Sequence, residues 1–328
     1  MIFKKEESRE NEIASGRIRF EEEEKEAGGK RRLMILILLL LTTGVSFLIY
    51  LGKQVLPKIE EITQPVVFRP SPAFSPSPTP AEKSKVKELE KILAGRRGIY
   101  GLYYLNLGTG EVMALREKES FPAASLIKLP LIYTLYQQAR EEKINLEEKY
   151  VLKEEDKVAG AGSLYQKEVG VVYTYRDLAH LCGKQSDNTA AAILEKILGA
   201  EVIEKTINDL GMRNTSFARR QTTPEDIAIF WQKLWQGDDL KEEYREEILD
   251  SLTDTIFEEQ IPAALPAGVR IAHKVGIDEG ILHDAGIIFE EPPFILVLMS
   301  KDNNREEAQE AFILLTKALL ENEDGEEK

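Results

Sequence analysis

A run of apolar residues near the N-terminus most constrains how this chain can fold. Residues Leu33–Leu51 carry no charge, and their only hydroxyl-bearing aliphatic side chains are two threonines and one serine. A helix of about 20 such residues crosses a hydrocarbon core of roughly 30 Å. We therefore expect residues 33–52 to form a transmembrane anchor, with the chain on either side of it folding separately.

Basic residues flank this predicted anchor unequally. Lys30, Arg31 and Arg32 precede it directly, whereas Lys53 stands alone after it. The positive-inside rule then predicts a single-pass cell-membrane protein with a cytoplasmic N-terminus and an extracytoplasmic remainder. A cleaved signal peptide is the alternative, but the preceding tail is long and no small-residue cleavage pattern follows the run.

Composition divides the rest of the chain. Residues 1–32 are polar and should form a disordered cytoplasmic tail. Residues 53–81 contain seven of the 14 prolines and predict an extended extracytoplasmic linker, or alternatively a ligand for a proline-reading domain. An ordered domain is expected over residues 82–322, followed by an acidic tail at 323–328. About 240 residues are enough for one domain with a full core.

Charge and cysteine content exclude several classes of function. The net charge of −14 argues against nucleic-acid binding, which needs clustered Lys and Arg. The single cysteine, Cys182, excludes an internal disulfide, and its apolar helical surroundings predict a buried small side chain rather than a reactive thiol. The three histidines show no metal-ligand spacing, so we expect no metal, and no other cofactor is indicated.

Strand patterns lie at both ends of the ordered domain, and helical patterns fill about residues 121–258 between them. The N-terminal strand patterns predict a β-hairpin, and Thr223 is a predicted helix cap. One sheet can therefore join both chain ends, with helices on its faces, which is an α/β (α+β) fold class. The expected strands are Ile99–Leu107, Glu111–Arg116, Val269–Lys274, Asp284–Phe289 and Phe294–Ser300, and a last helix is expected from about Arg305 to Leu320.

Ser125 and Lys128 form a short motif, Ser-Leu-Ile-Lys, at the start of a predicted helix. The i, i+3 spacing places both side chains on one helix face. An amine with a lowered pKa can take the proton of a serine hydroxyl, and N–H groups at a helix start can stabilise an oxyanion. Alone, the motif also fits an ordinary exposed helical turn.

Two further motifs follow in the chain. Ser186-Asp187-Asn188 lies between helical runs, where it could equally be a helix cap. His273-Lys274-Val275-Gly276 ends a predicted strand, where a lysine at a sheet edge is usually solvated. The pair His283-Asp284 is expected to be a turn at the start of the next strand rather than a pair of site residues.

The three motifs together resemble Ser-x-x-Lys, Ser-Asp-Asn and Lys-Thr-Gly of class A β-lactamases and penicillin-binding proteins. The resemblance extends over about residues 84–320 and includes Thr222-Thr223-Pro224. It implies a β-lactamase/transpeptidase-like fold. In that fold a mostly antiparallel sheet built from both chain ends is flanked by helices, and a cleft beside an all-helical lobe holds Ser125.

The resemblance also implies catalytic roles. Ser125 would attack a carbonyl carbon and become acylated, and Lys128 would take part in activating it. Ser186 would lie between Lys128 and Lys274 and pass a proton to the leaving nitrogen. Lys274 would supply positive charge for a substrate carboxylate.

Four positions are implied to bind the substrate. Asn188 would hold the amide side chain of the substrate and help to orient the lysine of the first motif. Gly276 would let the substrate lie along the strand. The backbone N–H groups of Ser125 and Ile277 would form the oxyanion hole. Val275 would stand where the family has a hydroxyl residue.

Two departures from the family pattern matter. Residues Met212–Gln221 contain no carboxylate, although class A enzymes carry an Ω-loop with a deacylating Glu here, so rapid β-lactam turnover is not expected. Glu168 or Glu225 could replace that base, although each is also typical of a surface position. In addition, Val275 cannot bond a substrate carboxylate, so either the substrate lacks one or Lys274 alone holds it.

Three functions remain open from the sequence. The first is a membrane-anchored acyl-serine hydrolase that cleaves amide bonds of β-lactams or cell-wall peptides. The second is a sensor that binds β-lactams or peptidoglycan, becomes acylated and deacylates slowly. The third is a pseudoenzyme with a structural role in the cell envelope.

Overall fold

The structure, a computed structural model, describes residues 80–321 of the chain. The predicted cytoplasmic tail, the anchor, nearly all of the linker and the acidic tail lie outside these residues, so those predictions stay untested. Within residues 80–321, no helix combines the length and the apolar character needed to cross a membrane.

One antiparallel sheet of five strands joins the two ends of the described chain, as the strand patterns predicted. Its order is β2-β1-β9-β8-β7. The N-terminal hairpin pairs with the C-terminal strands through β1 and β9, in register from Ile99 opposite Lys301 to Asn106 opposite Phe294. The strands are β1 Ile99–Asn106, β2 Val112–Leu115, β7 Ile271–Asp278, β8 Ile281–Ile288 and β9 Phe294–Lys301.

The boundaries of β7 and β8 differ from those expected. Strand β7 continues past Lys274 to Asp278, and β8 already begins at Ile281. The hairpin turn that joins them includes Gly280, whose φ is +65°. His283 and Asp284 therefore lie inside β8 and are fully buried, so the prediction of a turn and strand start at this pair is wrong.

Residues 80–321 contain eight α-helices, some packed on the sheet and others forming a helical lobe. Thr223 caps α6 as predicted, because its hydroxyl accepts a hydrogen bond from the backbone N–H of Asp226. The helices are α1 Pro80–Leu93, α2 Lys128–Arg140, α3 Tyr175–Lys184, α4 Asn188–Leu198, α5 Ala200–Leu210, α6 Pro224–Gln236, α7 Glu242–Ser251 and α8 Arg305–Leu320.

Two hydrophobic cores lie on opposite faces of the sheet. On one face, Leu296 and Leu298 pack with Leu89 of α1 and Phe312 of α8. On the other face, the alternate residues of the same strands pack against the helical lobe formed by α2 to α7. Two small antiparallel pairs, β3 Phe121–Pro122 with β6 Gln221–Thr222 and β4 Lys149–Val151 with β5 Val172–Thr174, lie at the border of this lobe.

Candidate active site

Ser125 lies in a tight turn that leads directly into α2. The turn is a single 3-10 helix, Ala124–Ile127, and Lys128 is the first residue of α2. Ala124 has a φ of +45°, a left-handed conformation that costs a non-glycine residue about 1–3 kcal/mol. Hydrogen bonds hold the turn on both sides of this residue, from Ala123 N–H to the carbonyl of Arg220 (2.7 Å) and from Leu126 N–H to the carbonyl of Ala123 (2.9 Å).

The ammonium group of Lys128 is buried and points at the second motif. Its Nζ donates to the Asn188 side-chain oxygen at 2.7 Å, to the Ser186 carbonyl at 2.5 Å and to the Ser186 hydroxyl at 3.2 Å. Burial lowers the pKa of Lys128, and the nearby cation of Arg220 lowers it further, against the opposing effect of Cys182 and Asp187. The amine is therefore easier to deprotonate than an exposed lysine.

The Ser186-Asp187-Asn188 motif is a helix cap and a part of the site at once. Asp187 caps α4, accepting from Ala190 N–H at 2.8 Å, and its other oxygen accepts from Leu164 N–H at 2.8 Å. This arrangement holds Ser186, whose φ is +53°, and Asn188 against Lys128. The cap interpretation is therefore confirmed for Asp187, and the site roles of Ser186 and Asn188 stay predictions.

The loop that precedes the 3-10 turn at Leu164–Gln166 orients Asn188. The Asn188 side-chain N–H donates to the carbonyl of Ala159 at 3.0 Å. Gly160 follows with a φ of +117°, and a Cβ there would lie 2.5 Å from the Asn188 amide nitrogen. Only glycine permits this close approach, and the sequence analysis did not assign this loop to the site.

Lys274 is buried, with 1% of its surface exposed, and not solvated as a lysine at a sheet edge usually is. Its Nζ donates to the carbonyl of Val275 at 3.1 Å and lies 5.8 Å from the centre of the Phe257 ring. Burial, together with the positive charge of Lys128, lowers the pKa of Lys274 to about 7. The two lysines of the first and third motifs are thus electrostatically coupled.

The other three predicted positions continue along β7, an edge strand of the sheet. Val275 is buried, whereas Ile277 is partly exposed. A Cβ at Gly276 would lie 3.3 Å from the Cβ of Ala124 and 3.2 Å from the ring of His283. The missing side chain at Gly276 therefore lets the Ser125 turn pack closely against β7.

The family assignment rests on a match over nearly the whole described domain. The family model described as "Beta-lactamase enzyme family" matches residues 84–322. The chain belongs to this family. Its fold is the β-lactamase/transpeptidase-like one, as the sequence motifs implied.

Individual β-lactamase relatives are distant in sequence. The chain is 27% identical to a β-lactamase of Bacillus licheniformis over 247 residues, which is 68% of this chain and 80% of the relative. It is also 27% identical to β-lactamase L2 of Stenotrophomonas maltophilia over 61% of this chain and 71% of the relative.

Two solved structures show the same architecture. PBP-A superposes with a TM-score of 0.70 at 25% identity, over 74% of this chain and 96% of PBP-A. A β-lactamase of Sphaerobacter thermophilus superposes with a TM-score of 0.68 at 26% identity, over 74% of this chain and 96% of that protein. Family membership and these likenesses support a serine hydrolase of the class A β-lactamase type.

Hydrogen bonds and an ion pair hold the connection Met212–Gln221 in place. A bridge joins Ser216 and Gln221, and Phe217 N–H donates to the carboxylate of Glu204 at 2.7 Å. The guanidinium of Arg220 pairs with Glu195 at 2.7 Å and lies 4.4 Å from the centre of the Phe217 ring. The segment contains no carboxylate of its own, and the backbone carbonyl of Arg220 is its contact to the turn before Ser125.

The two alternative carboxylates lie on other elements. Glu168 is exposed in the turn before β5, and Glu225 is half-buried in the first turn of α6. No group of three or more His, Cys, Asp or Glu side chains within residues 80–321 could hold a metal ion.

His283 is a neighbour of the Ser125 turn that the sequence patterns did not indicate. Its Nε2 lies 2.7 Å from the carbonyl of Pro122, three residues before the serine, and the ring stands edge-on to Phe121 with centroids 6.0 Å apart. A histidine between apolar residues is a weak signal in sequence, because its hydrogen-bond partner comes from a segment more than 150 residues away.

Proposed function

We propose that this protein is an acyl-serine hydrolase that opens an amide bond of a β-lactam or a cell-wall peptide through an acyl-enzyme on Ser125. One observation carries the proposal: the buried amine of Lys128, one turn from Ser125, is hydrogen-bonded to both Ser186 and Asn188. A solvated lysine in an ordinary helical turn would not be held in this way.

In the acylation step, the Ser125 oxygen attacks the carbonyl carbon, and its proton passes to the neutral amine of Lys128. The carbonyl oxygen becomes an oxyanion, for which the backbone N–H groups of Ser125 and Ile277 are the proposed donors. Collapse of this intermediate breaks the carbon–nitrogen bond. The proton held by Lys128 then returns through the Ser186 hydroxyl, 3.2 Å away, to the leaving nitrogen.

The electrostatics of the site support these roles. Burial lowers the pKa of Lys128, which favours the neutral form that can accept a proton. With a pKa of about 7, Lys274 is partly charged at neutral pH and can attract an anionic substrate group. After burial, the positive charge of Lys128 is the next contribution that lowers the pKa of Lys274.

Hydrolysis of the acyl-enzyme needs a base that activates water, and Met212–Gln221 contains no carboxylate to serve as one. General-base catalysis contributes on the order of 10²- to 10⁴-fold, so the proposed acyl-enzyme is long-lived. This same observation favours the second candidate function, a sensor for β-lactams or peptidoglycan whose signal is the persistent acyl-enzyme.

We also propose that residues 33–52 anchor the protein in the cell membrane, with the hydrolase domain outside the cytoplasm. The support is the uncharged run and the basic residues that precede it. Protease added to intact cells should remove the domain from the membrane fraction, and resistance to the protease in intact but not in lysed cells would place the domain inside.

A fluorescent penicillin tests the hydrolase proposal on the full-length protein in detergent. Wild type should become covalently labelled, and Ser125→Ala should not. Equal labelling of both proteins would contradict the assignment of Ser125 as the nucleophile, and absence of label on a folded wild type would contradict β-lactams as substrates.

A further inference from the structure

His283 is a buried histidine that connects the central sheet to the Ser125 turn. It lies on β8, its side chain is completely buried, and the proposed chemistry leaves it without a role. Its Nε2 is 2.7 Å from the Pro122 carbonyl on β3. Its Nδ1 lies 2.8 Å from the carbonyl oxygen of the preceding residue, Leu282, and 3.3 Å from the backbone nitrogen of Ser300.

The hydrogen-bond partners decide which ring nitrogen carries the hydrogen. Burial lowers the pKa of His283 to about 4, so the ring is neutral and has a single N–H near pH 7. The carbonyl of Leu282 already accepts from the Ser300 hydroxyl at 2.9 Å, and the Ser300 N–H can donate to Nδ1 at 3.3 Å. We therefore assign the hydrogen to Nε2, which donates to Pro122, and the lone pair to Nδ1, which accepts from Ser300.

This hydrogen bond acts on a strained part of the backbone. Between Pro122 and Ser125 lies Ala124, whose φ is +45°. A residue keeps such a conformation only when its surroundings hold it there. The His283–Pro122 bond holds the turn from the sheet side, and the bond from Ala123 N–H to the Arg220 carbonyl holds it from the lobe side.

The packing around the ring reinforces this connection. Gly276 leaves room for His283, since a Cβ at residue 276 would lie 3.2 Å from the ring. The Cβ of Ala124 would lie 3.3 Å from the same added Cβ at residue 276. One imidazole thus contacts β3, lies against β7 beside its site residues, and is fixed to β9 through Ser300.

We propose that His283 is a positioning residue that keeps the strained turn before Ser125 in the geometry needed for acylation. This inference rests on the proposed acyl-serine function. His283 does not touch the reacting atoms, because its only hydrogen to donate is used at Pro122. It sets the position of the nucleophile and of the Ser125 backbone N–H relative to β7.

Two substitutions of similar size separate hydrogen bonding from packing. His283→Gln places an amide N–H near the position of Nε2, whereas His283→Met fills the space without a donor. With the full-length protein in detergent, His283→Met should lower the rate of penicillin acylation on the order of 100-fold, the cost of misplacing a reacting group by about 1 Å. The non-covalent affinity that precedes acylation should change little, and His283→Gln should recover most of the rate.

Hydrogen–deuterium exchange provides a readout that does not depend on acylation. His283→Met should speed exchange in the peptide spanning residues 121–128 and leave α8 unchanged, and His283→Gln should restore protection. If folded His283→Met exchanges and acylates like wild type, or if exchange rises equally throughout the protein, the proposal is overturned. If wild type forms no adduct, the hydrolase proposal fails, and the exchange experiment alone decides whether His283 holds the turn.

Discussion

His273 and Asp284 form an ion pair, with Nδ1 and a carboxylate oxygen 2.8 Å apart and both side chains fully buried. Strand alternation places this pair on the face of the sheet opposite the side chain of Lys274. Glu258 adds a second carboxylate oxygen 3.4 Å from Nε2. The pair therefore ties β7, the strand of the third motif, to β8 and to the segment that carries Glu258.

This pair predicts a pH-dependent contribution to stability. Burial lowers the pKa of His273, but the charges and hydrogen bonds of Asp284 and Glu258 together outweigh burial and raise the pKa to about 9 from 6.5. The contribution is therefore full below pH 6.5 and is lost as pH rises through 9, and it amounts to roughly 3 kcal/mol. As pH rises from 6.5 to 9, the difference in unfolding free energy between wild type and His273→Gln, measured by denaturant titration, should therefore fall.

The comparison with His273→Gln is necessary because Lys274 acts in the opposite direction. Its pKa of about 7 lies below the ordinary 10.5, so its effect on stability becomes more favourable as pH rises between these values. The difference between the two proteins removes this effect. A difference that stays constant from pH 6.5 to 9 would contradict the ion pair.

The pKa of Lys274 also predicts how acylation depends on pH. A β-lactam that carries a carboxylate should acylate the protein more slowly above about pH 7, because Lys274 loses its charge there. Lys274→Arg keeps the charge at all accessible pH values and should shift this decline to higher pH. Second-order rate constants of adduct formation across the pH range provide the measurement, and an unchanged decline in Lys274→Arg would assign it to another group.

Replacing Lys128 tests its role as the proposed base. Lys128→Met removes this amine and should slow acylation by about 10²- to 10⁴-fold. It also leaves the Ser186 carbonyl and the Asn188 side-chain oxygen without their donor, which costs about 1–3 kcal/mol for each unsatisfied buried group. The melting temperature should therefore fall, so acylation is compared at a temperature where both proteins are fully folded. Acylation at the wild-type rate would exclude Lys128 as the base.

Val275→Thr tests the departure in the third motif. A new hydroxyl that bonds a substrate carboxylate should contribute about 1.5–3 kcal/mol, which is at least a tenfold gain in affinity. The matched control is the same β-lactam with its carboxylate esterified, which should gain nothing. Equal gains for both compounds would show that the hydroxyl acts elsewhere than on the carboxylate.

Local patterns predicted the parts of the fold that depend on neighbours in the chain. The hairpin at Ile99, the cap at Thr223 and the last helix at Arg305 all lie where periodicity and capping rules placed them. The three motifs identified Ser125 and Lys128 with their partners for a different reason. They resemble a known family, and spacing alone would have left each of them ambiguous.

Patterns failed where a polar residue is buried against a distant partner. We expected a turn at His283-Asp284, because charged and polar residues seldom lie in central strands. Inside the sheet, however, His273 is the hydrogen-bond partner of Asp284, and the Pro122 carbonyl is the partner of His283. Taken alone, the third motif also fitted a solvated edge lysine, whereas Lys274 is buried with its Nζ 5.8 Å from the centre of the Phe257 ring. Such pairings arise from tertiary structure and have no signature within a short window of sequence.

The most direct test is an intact-mass time course of the full-length protein with a penicillin, beside Ser125→Ala. We predict a one-to-one adduct on wild type only, formed promptly and lost slowly, because Met212–Gln221 lacks a carboxylate. Rapid loss of the adduct would instead indicate an efficient deacylating base elsewhere. The presence of the adduct on Ser125→Ala would contradict the central claim that Ser125 is the acylated nucleophile, and the absence of any adduct on folded wild type would contradict acylation by β-lactams.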